Sequence, residues 1–108
     1  MKFSVKFGII KTRKEVKKMR TTQQIKGYIM DAREGCEGTM LECARNGDDR
    51  MLYRSYSDSQ DYLMGLFDMA LFMSGIGSPQ YDVLLKFQQE TFSKLRQSFD
   101  YLRCRYNL

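Results

Sequence analysis

The sequence predicts an all-α protein, an antiparallel three-helix bundle with a basic N-terminal arm. Three observations predict this fold. Apolar side chains recur every three to four residues along most of the chain after residue 21, which is the spacing of a helix face packed against its neighbours. The segments "RNGDD" and "SGIGSP" interrupt that spacing with glycine and other turn-forming residues. Helices joined by so few residues fold back on each other, so the predicted bundle is antiparallel.

The basic arm comprises residues 1–20, and residues 21–108 form the predicted helical domain. The arm holds eight lysines and arginines against Glu15 alone, a net charge of +7. Because the whole chain carries +5, the helical domain carries −2. A charge difference of this kind is typical of proteins that contact nucleic acids or acidic surfaces.

The first helix has two candidate starting points. Thr12 with Glu15 and Thr21 with Gln24 each match a capping box, in which two side chains satisfy the first backbone amides of a helix. The first pair would make the basic segment part of the helix, and the second would leave it as a separate arm. An apolar face then follows at helical spacing through Ile25, Ile29, Ala32, Cys36, Met40 and Cys43.

An alternative to the end of this helix stays open. Gly35 and Gly38 each cost about 1 kcal/mol relative to alanine inside a helix. The dipeptide Asn46-Gly47 is also a strong signal for a tight β-hairpin turn. The alternative fold is therefore α+β, with a hairpin around residues 39–56.

The second and third helices have clearer signals. A helix over about 50–74 is predicted by the apolar series Leu52, Tyr56, Ser59, Leu63, Leu66, Ala70 and Met73. Ser78 and Pro79 suit the N-cap and first position of a third helix, which we expect to reach residue 105. Its expected packing seam runs through Tyr81, Leu85, Gln88, Phe92, Leu95, Phe99, Leu102 and Tyr106.

Catalytic chemistry is poorly represented. The chain contains no histidine, the usual general base, and it has no glycine-rich phosphate-binding motif. Its three cysteines include no C-x-x-C pair, so we expect reduced thiols buried in the core rather than a zinc site. We therefore expect a protein that is not an enzyme and that needs neither a metal nor a cofactor.

Nucleic-acid binding is the first functional hypothesis. Arginine and tyrosine together are typical of surfaces that stack on bases and neutralise phosphates. Two stretches, "RMLYRSY" and "YLRCRYNL", combine them at positions that an up-down-up bundle would bring to one end. The candidate residues are Lys11, Arg13, Lys14, Lys17, Lys18 and Arg20 in the arm, and Arg50, Tyr53, Arg54, Arg103 and Arg105 in the bundle. The partner would be a nucleic acid or a nucleoprotein complex.

A protein-directed function is the alternative hypothesis. The second helix carries more apolar side chains than one partner helix needs, and methionine adapts to irregular surfaces. The candidate residues are Met64, Met69, Phe72 and Met73. They would serve an inhibitor or adaptor of the type carried by phages and plasmids, or the interface of a homodimer. A third alternative is a nucleotide held between two protomers by arginine and tyrosine.

The expected location is the cytoplasm. The longest apolar run falls far short of the roughly 20 residues that span a bilayer. The N-terminal segment "MKFSVKFGII" also lacks the features of a secretory signal, so we expect neither a membrane partner nor export.

Overall fold

The computed structural model describes residues 21–108, which form three helices: α1 (Thr22–Arg45), α2 (Asp49–Ser74) and α3 (Pro79–Tyr106). All three pack against one another, and this part of the chain contains no strand. The predicted three-helix bundle is therefore confirmed, and the alternative hairpin around residues 39–56 is wrong.

The turn between α1 and α2 explains why no hairpin forms. A two-residue hairpin of the type favoured by Asn-Gly needs a positive φ at both central residues. Here Asn46 stays in the right-handed region with φ −81°, and Gly47 alone is left-handed with φ 72°. Asp48 then accepts a hydrogen bond from the backbone amide of Met51 at 3.0 Å and caps α2. The dipeptide is a turn, as predicted, but it joins two helices.

Side-chain caps fix the starts of α1 and α3. The amide of Gln24 donates to Thr21 Oγ1 at 3.1 Å, and the amide of Thr21 donates to Gln24 Oε1 at 3.2 Å. This reciprocal pair is the second of the two predicted capping boxes; the first, at Thr12, lies outside the described residues. Ser78 caps α3 by accepting from the amide of Tyr81 at 3.0 Å, with proline at the first helical position as predicted.

The core lies along the axis shared by the three helices. Its largest fully buried side chains come from every helix and include Ile29, Met40, Leu52, Leu63, Leu66, Phe67, Leu84 and Leu95. Each aromatic pair in the described part of the chain joins α2 to α3; these pairs are Tyr53–Phe99, Tyr56–Phe99, Phe67–Phe87 and Phe67–Phe92. Aromatic rings thus hold α2 against α3.

The buried face of α3 differs from the predicted seam in its first half. The structure buries Leu84, Phe87 and Thr91, whereas Leu85 is exposed. The two sets differ by one residue, or about 100° around the helix. The physical reason is that α3 packs against α1 as well as α2, so the most buried line of α3 lies between its two partners.

Polar contacts join α1 to α3 on one flank of the bundle. Ser98 donates a 2.8 Å hydrogen bond to Oε2 of Glu37, and Arg33 makes an ion pair with the same oxygen at 2.8 Å. Beside this network is an open groove of about 520 Å³, whose lining includes Leu41, Lys94 and Tyr101. The Ser98–Glu37 hydrogen bond links α3 to α1, whereas the Arg33–Glu37 pair lies within α1.

The cysteines are free thiols, and they do not all behave as core residues. Cys36 and Cys43 are half-buried and lie on the packed side of α1. Cys104 is exposed, so the expectation of a third buried thiol is wrong. In the described residues no helix combines the length and apolarity required to cross a membrane.

Candidate nucleic-acid interface

One end of the bundle collects arginines from all three helices. Because the helices alternate in direction, the last turn of α1, the first turns of α2 and the last turn of α3 meet there. We call this end the arginine pole; its members are Arg45, Arg50, Arg54, Arg103 and Arg105. The start of α1, to which residues 1–20 are attached, lies at the opposite end. The 24 residues of α1 separate the two ends by about 36 Å.

Tyr53 and Arg103 contact each other across the α2–α3 seam. The guanidinium carbon of Arg103 lies 5.3 Å from the centroid of the Tyr53 ring and 5.6 Å from that of Phe99. These distances are within the range of cation–π attraction. Tyr53 is still 46% exposed, and its ring meets buried Phe99 in an edge contact at 5.1 Å. The result is an aromatic ring that is held on one side and open to solvent on another.

Tyr56 packs against Phe99, the residue that contacts Tyr53 and Arg103. Its ring is stacked on Phe99 at 4.2 Å with an interplanar angle of 7°, and its hydroxyl accepts a hydrogen bond from Gln60 at 3.3 Å. Tyr56 is half-buried and packs against the core. It therefore positions Phe99, and through Phe99 it positions Tyr53 and Arg103.

Arg50, Tyr53, Arg54 and Arg103 form one cluster, which we call the Tyr53 cluster. The three residues of α2 are spaced i, i+3 and i+4, so they share one helix face. Arg103 joins them through its contact with Tyr53. Arg105 is about 200° from Arg103 around α3, and its guanidinium lies 5.7 Å from the ring of Tyr106. Of the five bundle residues predicted for this site, Arg105 is the one that the structure does not bring into the cluster.

Arginines of the pole make no ion pairs with other described residues. Such pairs occur elsewhere: Arg33 with Glu37 at 2.8 Å and Arg96 with Asp100 at 3.3 Å. The pairing with Asp100 raises the pKa of Arg96. Five guanidinium groups at the pole are thus without a carboxylate partner among residues 21–108.

Helix electrostatics accounts for only some of these arginines. A cation in the last turn of a helix is stabilised by the helix dipole, and Arg45, Arg103 and Arg105 occupy such positions. Arg50 is the second residue of α2, in the first turn, where the dipole disfavours a cation, and Arg54 is the sixth, beyond the first turn. The helix dipole therefore does not account for the cations at Arg50 and Arg54.

Two features of this site were missed in the sequence. Phe99 was assigned to the packing seam, and its second role as the support of Tyr53 was not foreseen. The signal was present, since Phe99 precedes Arg103 by one helical turn. Arg45 was not considered, although its place in the last turn before "NGDD" puts it at the same pole. The arm residues Lys11, Arg13, Lys14, Lys17, Lys18 and Arg20 lie outside the described part of the chain.

Three of the candidate protein-binding residues of α2 share one helix face, because Met69, Phe72 and Met73 are spaced i, i+3 and i+4. Phe72 is 86% exposed and Met73 37%, whereas Met69 is half-buried. Met64 lies on the side that faces α3, where its Sδ accepts a hydrogen bond from Gln88 at 3.3 Å. The structure also exposes Ile76, an apolar residue outside the predicted set, at 90%. Ile76 lies in the α2–α3 turn between two glycines of positive φ.

The chemistry of the Tyr53 cluster is that of anion and ring recognition, because it combines guanidinium groups with a partly exposed tyrosine. Comparison with known proteins adds no identity to this geometry, since no family profile, curated protein or solved structure matches the chain.

Proposed function

We propose that the protein is a non-catalytic binding protein that docks on a nucleic acid, alone or within a nucleoprotein complex. Contact is made through the Tyr53 cluster, and the basic arm of residues 1–20 adds electrostatic attraction. Lys and Arg side chains bind nucleic acids by neutralising phosphates and releasing condensed counterions. The arm and the cluster supply these cations from opposite ends of the bundle.

The observation that carries this proposal is the position of Arg50 and Arg54. Both are exposed, neither has an ion-pair partner in residues 21–108, and neither lies where the helix dipole favours a cation. Exposed cations without an ion-pair partner are available to another molecule. An anionic partner would benefit from them directly.

The test is the salt dependence of binding. Fluorescence anisotropy with labelled oligonucleotides, single-stranded and duplex, gives an affinity at each salt concentration. We expect the slope of log affinity against log salt to be about −0.7 to −0.9 per phosphate neutralised. Arg50→Gln with Arg54→Gln should flatten that slope by about 1.5 in total if each arginine contacts one phosphate.

Two controls locate the effect. Lys86→Gln with Lys94→Gln removes the same charge from exposed positions of α3 outside the cluster, and this pair should leave the slope nearly unchanged. Deletion of residues 1–18 should weaken binding to all sequences alike, because phosphate contacts carry no base information. If no oligonucleotide binds at low salt, or if both double variants change the slope equally, the proposal is wrong.

A second candidate function is supported by a separate observation. Phe72 and Ile76 are 86% and 90% exposed at the end of the bundle opposite the arginine pole. Exposed apolar patches are typical of protein-binding surfaces, which fits an inhibitor or adaptor. The test compares proteins retained by the wild type with those retained by Phe72→Ser/Ile76→Ser. Selective loss from the double variant supports this function, and identical recovery contradicts it.

A further inference from the structure

We infer that the Tyr53 cluster binds single-stranded nucleic acid by stacking an unpaired base on the Tyr53 ring. This inference rests on the proposed function and specifies the form of nucleic acid that the cluster accepts. Three properties of the cluster lead to it: the exposure of one ring, the fixed position of that ring, and the placement of guanidinium groups around it.

The first property is the exposure of the Tyr53 side chain. Tyr53 is 46% exposed although its ring touches both Arg103 and Phe99. A tyrosine at this seam could turn its ring into the core, as the half-buried Tyr56 does three residues later. The exposed part of Tyr53 is therefore available to another flat group. Bases of single strands stack on such rings whatever their sequence.

The ring is also fixed before any ligand arrives. Phe99 is buried with 4% exposure and contacts the Tyr53 ring in a T-shaped geometry, and Tyr56 is stacked on Phe99. Arg103 restrains the ring from α3. Binding then requires little ordering of this side chain, which removes part of the entropic cost of association.

Phosphates would meet guanidinium groups on both helices. Arg50 and Arg54 lie on the helix face of Tyr53, and Arg103 reaches the ring from the neighbouring helix. At the start of α2 the Asp48 carboxylate accepts a hydrogen bond from the amide of Met51 at 3.0 Å, so a negative charge already lies where the helix N-terminus would attract a phosphate. Arginine side chains are therefore left as the phosphate ligands.

A duplex does not offer what this cluster accepts. Inside a duplex both faces of each base are covered by its neighbours, so a tyrosine ring has no base face to contact. Sequence-tolerant binding of single strands combines cations that follow the backbone with aromatic rings that stack on bases. The four residues of the Tyr53 cluster provide this combination.

The experiment compares two ligands of equal length with the full chain. One is an unstructured single strand, and the other is a duplex closed at both ends by hairpin loops of non-nucleotide linker, so that no terminal base pair is open. Anisotropy is measured for the wild type, Tyr53→Leu and Tyr53→Phe. Tyr101→Leu is the matched control, because Tyr101 is 61% exposed and lies in the α1–α3 groove. Circular dichroism checks that each variant is folded.

We expect Tyr53→Leu to weaken single-strand binding by about 5- to 100-fold, the range for loss of one stacked base. Tyr53→Phe keeps the ring and should bind within about 2-fold of the wild type, as should Tyr101→Leu. Binding of the closed duplex should be unaffected by Tyr53→Leu.

Two results would overturn the inference while leaving the proposed function in place. One is equal loss of duplex and single-strand binding in Tyr53→Leu, and the other is an effect of Tyr53→Leu no larger than that of Tyr101→Leu. Absence of binding to either ligand at low salt would instead refute the proposed function itself. A 2-aminopurine base in the single strand gives an independent readout, since stacking on Tyr53 should change its fluorescence in the wild type and not in Tyr53→Leu.

Discussion

At the scale of single residues, the environment of Arg103 does not suit a purely structural role. Its Nε–H is buried and has no hydrogen-bond acceptor in the described part of the chain. A buried donor without a partner costs about 1–3 kcal/mol, whereas cation–π contacts return about 0.5–2 kcal/mol. The two effects nearly cancel, so Arg103 adds little to the free energy of unfolding.

Arg103→Met should therefore separate binding from stability. Methionine keeps much of the apolar volume against Tyr53 and Phe99 and removes the unpartnered donor. We expect the free energy of unfolding to stay within about 1 kcal/mol of the wild-type value, while affinity for single-stranded nucleic acid falls. Urea denaturation and anisotropy measure the two effects. A loss of stability well above 2 kcal/mol would mean that Arg103 is mainly a structural residue.

The burial of Cys36 leads us to expect that the free energy of unfolding falls at alkaline pH. Burial raises the pKa of the Cys36 thiol above its ordinary value of 9.0, against a smaller opposing effect of its hydrogen bond with Ser59. The unfolded chain thus releases this proton at lower pH than the folded chain does. The contribution of the thiol to stability is complete below about pH 9 and is lost as the pH rises toward the folded pKa.

The measurement is urea denaturation at pH 7 and pH 10 under reducing conditions. The wild type should lose more stability between these values than Cys36→Ala does. Cys104→Ala, at an exposed position, should behave like the wild type. Parallel losses in the wild type and Cys36→Ala would show that other groups account for the alkaline sensitivity.

At the scale of helices, the sequence predicts where each helix lies and how it is joined to the next better than it predicts which face of the helix is buried. The caps at Thr21 and Ser78 and the turn at Gly47 depend on local hydrogen bonds and backbone angles, which a few adjacent residues determine. The rotation of α3 depends on two partner helices at once. Leu84 and Leu85 are identical in hydrophobicity, so only the position of α1 decides which of them is buried.

The glycines of α1 offer a test of helix stability. A β-carbon added at Gly35 or Gly38 would have no atom within 4 Å, and both positions are exposed. Alanine should therefore stabilise α1 by about 0.5–1 kcal/mol per site, because it limits the freedom of the unfolded chain. Thermal denaturation of Gly35→Ala/Gly38→Ala should show a higher Tm, by about 4–8 °C for each kcal/mol gained.

Gly75→Ala is the opposite control. Gly75 ends α2 with φ 86°, a conformation that a side chain disfavours. This change should lower the Tm although it also has open space around it. A drop in Tm for the α1 double variant would show that these glycines serve a purpose other than helix formation.

At the scale of the whole molecule, the arginine pole and the exposed pair Phe72 and Ile76 lie at opposite ends of the bundle. The sequence indicated both sets of residues, because an up-down-up order assigns each stretch to an end. It did not indicate which members lie together, since that depends on helix rotation. Arg103 therefore joined Tyr53 while Arg105 did not, and Phe72 was exposed while Met69 was half covered.

Phe72 and Ile76 are the exposed residues through which two copies of the bundle would associate. Phe72→Asp/Ile76→Asp should keep the circular dichroism spectrum and Tm of the wild type, because both side chains are almost fully exposed. If the wild type associates, sedimentation at increasing concentration should show a shift that the double variant lacks. Leu66→Asp, at 1% exposure in the core, should unfold the chain. Unfolding of the exposed-site variant would mean that Phe72 and Ile76 are covered in solution.

The odd number of helices has a practical consequence for anyone attaching another protein to this one. Thr21 and Leu108 lie at opposite ends, and the amide of Leu108 donates to the carbonyl oxygen of Arg103 at 2.9 Å. A fluorescent protein or affinity tag fused directly after Leu108 therefore lies against the arginine pole, where its bulk would obstruct an incoming oligonucleotide. The start of α1 at Thr21 is a full helix length away from that end. The choice of fusion site thus determines whether an assay of this protein has access to the Tyr53 ring.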